Sequence, residues 1–150
     1  MTTVLATGAF QIIHPGHILY LSEAKKLGSR LVVILARDKT IREQQRRLVI
    51  PEGQRLAVVK SLKPVDDAIL GDEHDIFVPV EKIRPDIIAL GPNQKSDTGF
   101  IEMELKRRGI IAEVVRINGF YDGEFNSTQK ILGSLRDSLS EKRPGISKRS

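Results

Sequence analysis

The 150-residue chain has no cysteine, which excludes a disulfide framework and any zinc site built from thiolates. No apolar run approaches the length needed to span a bilayer, and the N-terminus lacks the pattern of a signal peptide. A cytoplasmic protein with no membrane partner is therefore expected. Aromatic residues are few, five Phe and two Tyr with no Trp. None interleaves with the basic runs, so the stacking platforms of a nucleic-acid binder are missing. No repeat or linker is visible, and the length suits one domain with a real core.

What is present is ordinary for a globular protein, 40% hydrophobic and 29% charged. The net charge of +5 is concentrated in Arg42, Arg46 and Arg47 and in Lys142, Arg143, Lys148 and Arg149. The first cluster suits a polyanionic small molecule better than nucleic acid. Apolar strand-like runs at Thr3–Thr7, Leu31–Ala36, Val65–Leu70, Asp86–Gly91 and Ile110–Ile117 alternate with helical patterns. The helical patterns lie at Ile18–Leu27, from Pro51 to Leu62, at Ile76–Ile83, at Thr98–Arg108 and from Ser127 to about Lys142. Gly28 stands where a left-handed cap would end the first helix. Lys39 to Leu48 reads as a loop or a short helix. This alternation predicts an α/β protein with a five-stranded, all-parallel, doubly wound Rossmann-like sheet. Ligands of such sheets sit beyond the carboxyl ends of the strands.

Those ends are where the informative residues fall. Between the first strand and first helix lies Gly8-Ala9-Phe10-Gln11-Ile12-Ile13-His14-Pro15-Gly16-His17. Pro15 fits the first helical position, where its fixed φ helps and its missing N–H costs nothing. His14 and His17, three apart, lean to one side of the helix start, where free N–H groups and two imidazoles favour phosphate. Gly8, Ala9 and Phe10 are candidates for backbone contact with phosphates, a plain tight turn being the alternative. Arg46 and Arg47 are candidate phosphate clamps, or else part of a solvated loop. Arg55 follows on the next helix. Gly91-Pro92-Asn93-Gln94-Lys95 closes a buried strand, and Asn93 there can meet a ribose or base edge. Arg116 ends the last strand. Ser127 and Thr128 offer hydroxyls and N–H groups to an anion, or serve as an ordinary N-cap.

In order, HPGH, Arg37-Asp38, Gln54-Arg55-Leu56, Gly-x-Asn-Gln-Lys and Asn-Ser-Thr resemble the HxGH nucleotidylyltransferase superfamily over about residues 2 to 135. Val32 to Asp38, Val65 to Gly71, Pro85 to Gly91 and Asn93 to Lys95 are most similar to the archaeal FAD synthetases. The resemblance implies a nucleotidylyltransferase domain over residues 1–142, and the Pro, Gly, Ser and basic residues of 143–150 predict a disordered basic tail. It implies transfer of AMP from ATP to FMN, with His14 and His17 catalytic and Arg55 facing the nucleotide. The other nucleotide contacts would be Gly8, Ala9, Phe10, Gly16, Arg46, Asn93, Arg116, Ser127 and Thr128. Magnesium would be held through the nucleotide phosphates, with no protein ligand, and the chain would form a homodimer. Gln11 and Asn93 stand where the family usually has aspartate. Two other activities stay open: a cytidylyltransferase acting on a small phosphorylated alcohol such as glycerol 3-phosphate, and a nucleotide-binding protein with little catalysis.

Overall fold

Continuous apolar runs suit strands whose sheet is covered by helices on both faces. The computed structural model describes residues 1–44, 49–119 and 121–147, the last six by backbone alone. Its strands are Thr3–Gly8 (β1), Arg30–Leu35 (β2), Asp67–Leu70 (β3), Ile87–Leu90 (β4) and Glu113–Arg116 (β5). They form one sheet in the order β3-β2-β1-β4-β5, every pair parallel. The helices are Pro15–Lys26 (α1), Asp38–Glu43 (α2), Glu52–Lys60 (α3), Val78–Ile83 (α4), Thr98–Arg107 (α5) and Thr128–Ser147 (α6).

Successive strand residues face opposite sides, and the core divides accordingly. Val4, Ala6, Leu31, Val33 and Leu35 pack with Leu21 of α1 and Val59 of α3. Leu5, Val32, Ile34, Ile88 and Leu90 pack with Val80 of α4 and with Ile101 and Leu105 of α5. The sheet is thus doubly wound, as the alternation predicts. The winding reverses between β1 and β4, which opens a crevice beyond their carboxyl ends.

Several boundaries depart from the sequence expectation. Leu27 caps α1 in a right-handed conformation, and Gly28 has no positive φ. Glycine is required there by space instead, since a Cβ would stand 2.6 Å from the Thr2 carbonyl oxygen. Left-handed residues occur after other helices, at Arg84 (φ 48°) and Gly109 (φ 71°). The strand expected from Val65 starts at Asp67, because the Asp66 carboxylate turns to accept from the Leu31 N–H at 2.7 Å and to pair with Lys25. The strand expected from Ile110 starts at Glu113. Ile110 is drawn into the second core, and its N–H closes α5 on the Leu105 carbonyl at 2.8 Å. Of residues 39–48, which read as a loop or a short helix, 39–43 belong to α2, and 45–48, with Arg46 and Arg47, lie outside the described residues. At the other end, α6 continues past Lys142 to Ser147, so residues 143–147 carry helical backbone where composition pointed to disorder. Glu141, Lys142 and Arg143 are good helix formers, and Pro144 does not stop the turn they begin.

Candidate active site

The two histidines cap their own helix. His14 is the N-cap residue in extended backbone (φ −139°, ψ 170°), and its Nδ1 accepts from the Gly16 N–H at 3.1 Å. His17 reaches back, its Nδ1 accepting from the His14 N–H at 3.3 Å. This is the reciprocal geometry of a capping box, made from imidazoles instead of a hydroxyl and a carboxylate. The rings lie with centroids 3.8 Å apart.

The caps settle the chemistry of the rings. A neutral imidazole whose Nδ1 accepts must carry its proton on Nε2. Burial holds both rings neutral: desolvation lowers the His14 pKa, and desolvation followed by the charge of His14 lowers that of His17 to about 4. At neutral pH the site therefore presents two uncharged Nε2–H donors. The Gly16 N–H, expected to meet phosphate, is taken by His14.

Behind the histidines, Phe10 adopts a left-handed conformation (φ 53°) and its ring is 3% exposed. The ring packs on His17 with centroids 5.2 Å apart and lies over Gly8. A Cβ on Gly8 would stand 2.7 Å from Phe10 Cε2. The glycine expected to admit a ligand thus makes room for Phe10, a correction to its role. Gly16 likewise has no space for a Cβ, which would stand 2.7 Å from the Asn126 carbonyl oxygen. That close approach brings the starts of α1 and α6 together. Ser127 Oγ accepts from the Lys130 N–H at 3.3 Å as an ordinary cap, with Thr128 opening the helix.

Two expected nucleotide contacts turn inward. Arg55 is 1% exposed. Its guanidinium donates to the carbonyls of Ile50 (2.7 Å), Ala9 (2.8 Å) and Ala36 (2.7 Å) and to Asp38 Oδ1 (2.8 Å). Four of its five donors are engaged within the chain, so it ties the loops after β1 and β2 to α3. Although burial acts against it, the Arg55 hydrogen bond keeps the Asp38 carboxyl below its usual range. Arg37 pairs with Glu52 at the start of the same helix. Arg116 donates to the carbonyls of Gly91 (2.9 Å), Gln94 (2.6 Å) and Ser96 (2.8 Å), and so shapes the loop after β4.

Gln94 and Tyr20 carry more than the sequence suggested. Gln94 accepts from the Gly91 N–H at 2.7 Å and donates to the Thr7 carbonyl at 2.9 Å, joining the ends of β4 and β1. Tyr20 donates to the Ala89 carbonyl at 2.6 Å and accepts from the Thr7 N–H at 3.2 Å. A lone Tyr on an otherwise apolar helix face was the available signal for it. Asn93 is exposed at the tip of the loop. Gln11 accepts from the Ile50 N–H at 2.8 Å, beside the chain that leads from α2 to α3. Arg46 lies outside the described residues.

The residues gathered at the crevice are therefore His14 and His17, the loop carrying Asn93, and the start of α6 at Ser127 and Thr128. Arg55, Arg116, Gln94 and Tyr20 brace them. Among the described residues no group of three or more histidines and carboxylates could enclose a metal ion. No helix among them is long and apolar enough to cross a membrane.

Comparison with known proteins places this architecture. The chain is 54% identical over 139 residues to an FAD synthase of Methanothermobacter thermautotrophicus, covering 91% of this chain and 92% of that protein. It is 56% identical over 132 residues to an FAD synthase of Ferroglobus placidus, covering 88% and 86%. It is also similar to a crystal structure described as the lipopolysaccharide core biosynthesis protein from Thermoplasma volcanium. That match has a TM-score of 0.78 and 47% identity, over 81% of this chain and 99% of the other. The family model of cytidylyltransferase-like proteins matches residues 5–134. With two capped histidines at the switch point of a doubly wound parallel sheet, the chain belongs to the cytidylyltransferase-like family.

Proposed function

We propose that this chain is an FMN adenylyltransferase, moving AMP from ATP to FMN to give FAD and pyrophosphate. One observation carries the chemistry: two neutral, oriented Nε2–H donors stand together at the crevice. The identity to two FAD synthases carries the choice of substrates.

A terminal oxygen of the FMN phosphate attacks the α-phosphorus of ATP in line. A new P–O bond forms, the bond from the α-phosphorus to the bridging oxygen breaks, and pyrophosphate leaves with that electron pair. The phosphate nucleophile is already anionic, so no base is needed to activate it. The protein supplies positioning and stabilisation of developing charge. His14 and His17 donate from Nε2 to the α-phosphate oxygens and to the departing bridge, where charge grows. Ser127 and Thr128 hold phosphate at the start of α6, and Asn93 meets the ribose. Arg55 and Arg116 position the loops that carry Ala9 and Asn93. Gln11 does its bracing with a carbonyl oxygen, so an amide serves where the family usually has a carboxylate.

Among the described residues no three histidines or carboxylates are grouped to enclose a divalent cation; magnesium, which the resemblance implies, would come with the triphosphate and offset its charge. The homodimer implied by the resemblance belongs to the same proposal, and sedimentation of the purified chain tests it. So does a cytoplasmic location, where ATP and FMN are held.

The deciding experiment mixes purified protein with FMN, magnesium and either ATP or CTP, and follows FAD. FAD is expected with ATP. A flavin dinucleotide forming only with CTP, which would carry cytidine in place of adenosine, or no product with either, overturns the proposal. ATP binding without turnover on FMN or any other phosphorylated acceptor would leave a nucleotide-binding protein.

A further inference from the structure

The mechanism leaves one large feature unused, a groove of about 670 Å³ that starts at His14 and runs along the outer face of α1. Its floor is apolar, made by Ile13, Pro15, Ile18 and Leu19, and Tyr121 forms the opposite wall. We infer that this groove is the subsite for the isoalloxazine ring of the acceptor, with Tyr121 as its stacking face. The inference rests on the chain's being an FMN adenylyltransferase.

Three observations support it. The first is the position of the mouth. His14 lines the groove, so an acceptor whose phosphate lies at the histidines can extend its other end only a short way before meeting these walls. The second is the fit along the helix. From His14 to Ser22 is about 12 Å and to Lys26 about 18 Å at the α-helical rise, the span of an extended flavin mononucleotide from phosphate to pyrimidine edge. At that end the groove changes character. Ser22 brings a hydroxyl, and the ion-paired Lys26 and Glu23 bring donors and an acceptor. The pyrimidine edge of a flavin alternates carbonyl, N–H and carbonyl, and needs both kinds of partner. An apolar floor with a few polar groups at one end is the usual composition of a site for a flat heteroaromatic ligand.

The third is that Tyr121, though 45% exposed, is held in place. Its ring lies across Gly123, where a Cβ would stand 2.3 Å from Cε1. Its carbonyl accepts from the Gly123 N–H at 3.0 Å and from the Asn126 side chain at 2.9 Å. Asn126 is the residue whose own carbonyl lies against Gly16. One residue therefore fixes both the start of α1 and the aromatic wall, so that catalytic histidines and ring are set at one spacing. A pre-positioned aromatic face binds a planar ring without first having to order a side chain.

The test is a Tyr121→Ala and Tyr121→Phe pair, read by steady-state kinetics and by FMN fluorescence. Tyr121 is exposed at the surface, so neither change empties the core. Stacking contributes about tenfold in affinity. Tyr121→Ala should raise the KM for FMN about tenfold, with the KM for ATP and kcat held within twofold. Tyr121→Phe should restore the KM for FMN, because the ring is restored. Wild-type protein should quench FMN fluorescence by electron transfer from the stacked phenol, and both variants should leave the flavin bright. If wild type makes FAD while Tyr121→Ala keeps the wild-type KM for FMN, or both variants still quench, the ring sits elsewhere and only the subsite is lost. An unrestored KM in Tyr121→Phe has the same meaning. Wild-type protein that neither quenches FMN nor makes FAD overturns subsite and activity together.

Discussion

Arg55→Met gives the sharpest test of how the crevice is built. The substitution keeps most of the aliphatic stem and removes the guanidinium. Three carbonyls, of Ala9, Ala36 and Ile50, then lose a donor, and the Asp38 carboxylate, 18% exposed, loses its partner. Breaking a buried charge pair by deleting one member costs about 3–5 kcal/mol. Domains of this size are stable by roughly 5–15 kcal/mol, so most of the margin could go. At about 2–4 °C per kcal/mol for a chain of this length, Tm should fall on the order of 10 °C. Arg55→Lys keeps the charge but offers fewer, non-coplanar donors, and should cost about 1–3 kcal/mol through the carbonyls it abandons. The assay is urea unfolding followed by circular dichroism without nucleotide, paired with calorimetry of ATP binding to the folded variants. The wild type should also lose stability as pH falls below about 4, the unfolded Asp range, through the depressed Asp38 value. Arg55→Met should lack that increment. A variant that unfolds at the wild-type urea concentration yet binds ATP poorly would refute this, by showing that the guanidinium contacts nucleotide.

Four further outcomes can be measured directly. His17→Gln keeps an acceptor at the capping-box position while removing the ring donor. Its Tm should stay near wild type, with kcat down about 10²–10³, and an unchanged kcat in steady-state assays would take His17 out of the chemistry. With the His17 pKa lowered to about 4, its ring should stay neutral between pH 8 and 5.5, and an imidazole NMR titration of His17 with a midpoint near 6.5 argues against a buried neutral ring. The same shift acts on folding. Above about 6.5 the ring is neutral in both states, whereas between 6.5 and 4 only the unfolded chain takes up the proton, so chemical denaturation should show stability falling with pH across that window. Gly8→Ala drives a methyl into the Phe10 ring and should cost about 1–3 kcal/mol; an unchanged denaturation midpoint would show that the ring moves aside freely.

Much of this was legible in the residues because the signals were local. Continuous runs such as Leu31–Ala36 announce strands covered on both faces, and Pro15 marks a helix start by its own φ. The histidine spacing by itself sets two rings side by side. Arg55 and Arg116 show where local signals end. Arg55 on α3 and Arg116 at the end of β5 stand where expected, but a guanidinium there chooses between phosphate and the backbone carbonyls of neighbouring loops. That choice depends on which carbonyls long-range packing leaves unpaired. Gly8 and Gly28 misled for a related reason. A glycine shows that a Cβ is unwelcome without saying whether a ligand, an aromatic ring or another strand occupies the space. Gly123 shows the same: only the fold reveals that Tyr121 lies across it.

The self-capping of α1 restricts what the two histidines can do. Each spends its Nδ1 lone pair on a backbone N–H, so neither can pass its proton to the other nitrogen without uncapping the helix it begins. Acid–base relays of the kind hydrolases run through imidazole are closed to this pair. The site can hold charge but cannot carry protons, which restricts it to nucleophiles that arrive already deprotonated. A phosphate monoester meets that condition at neutral pH and an alcohol does not.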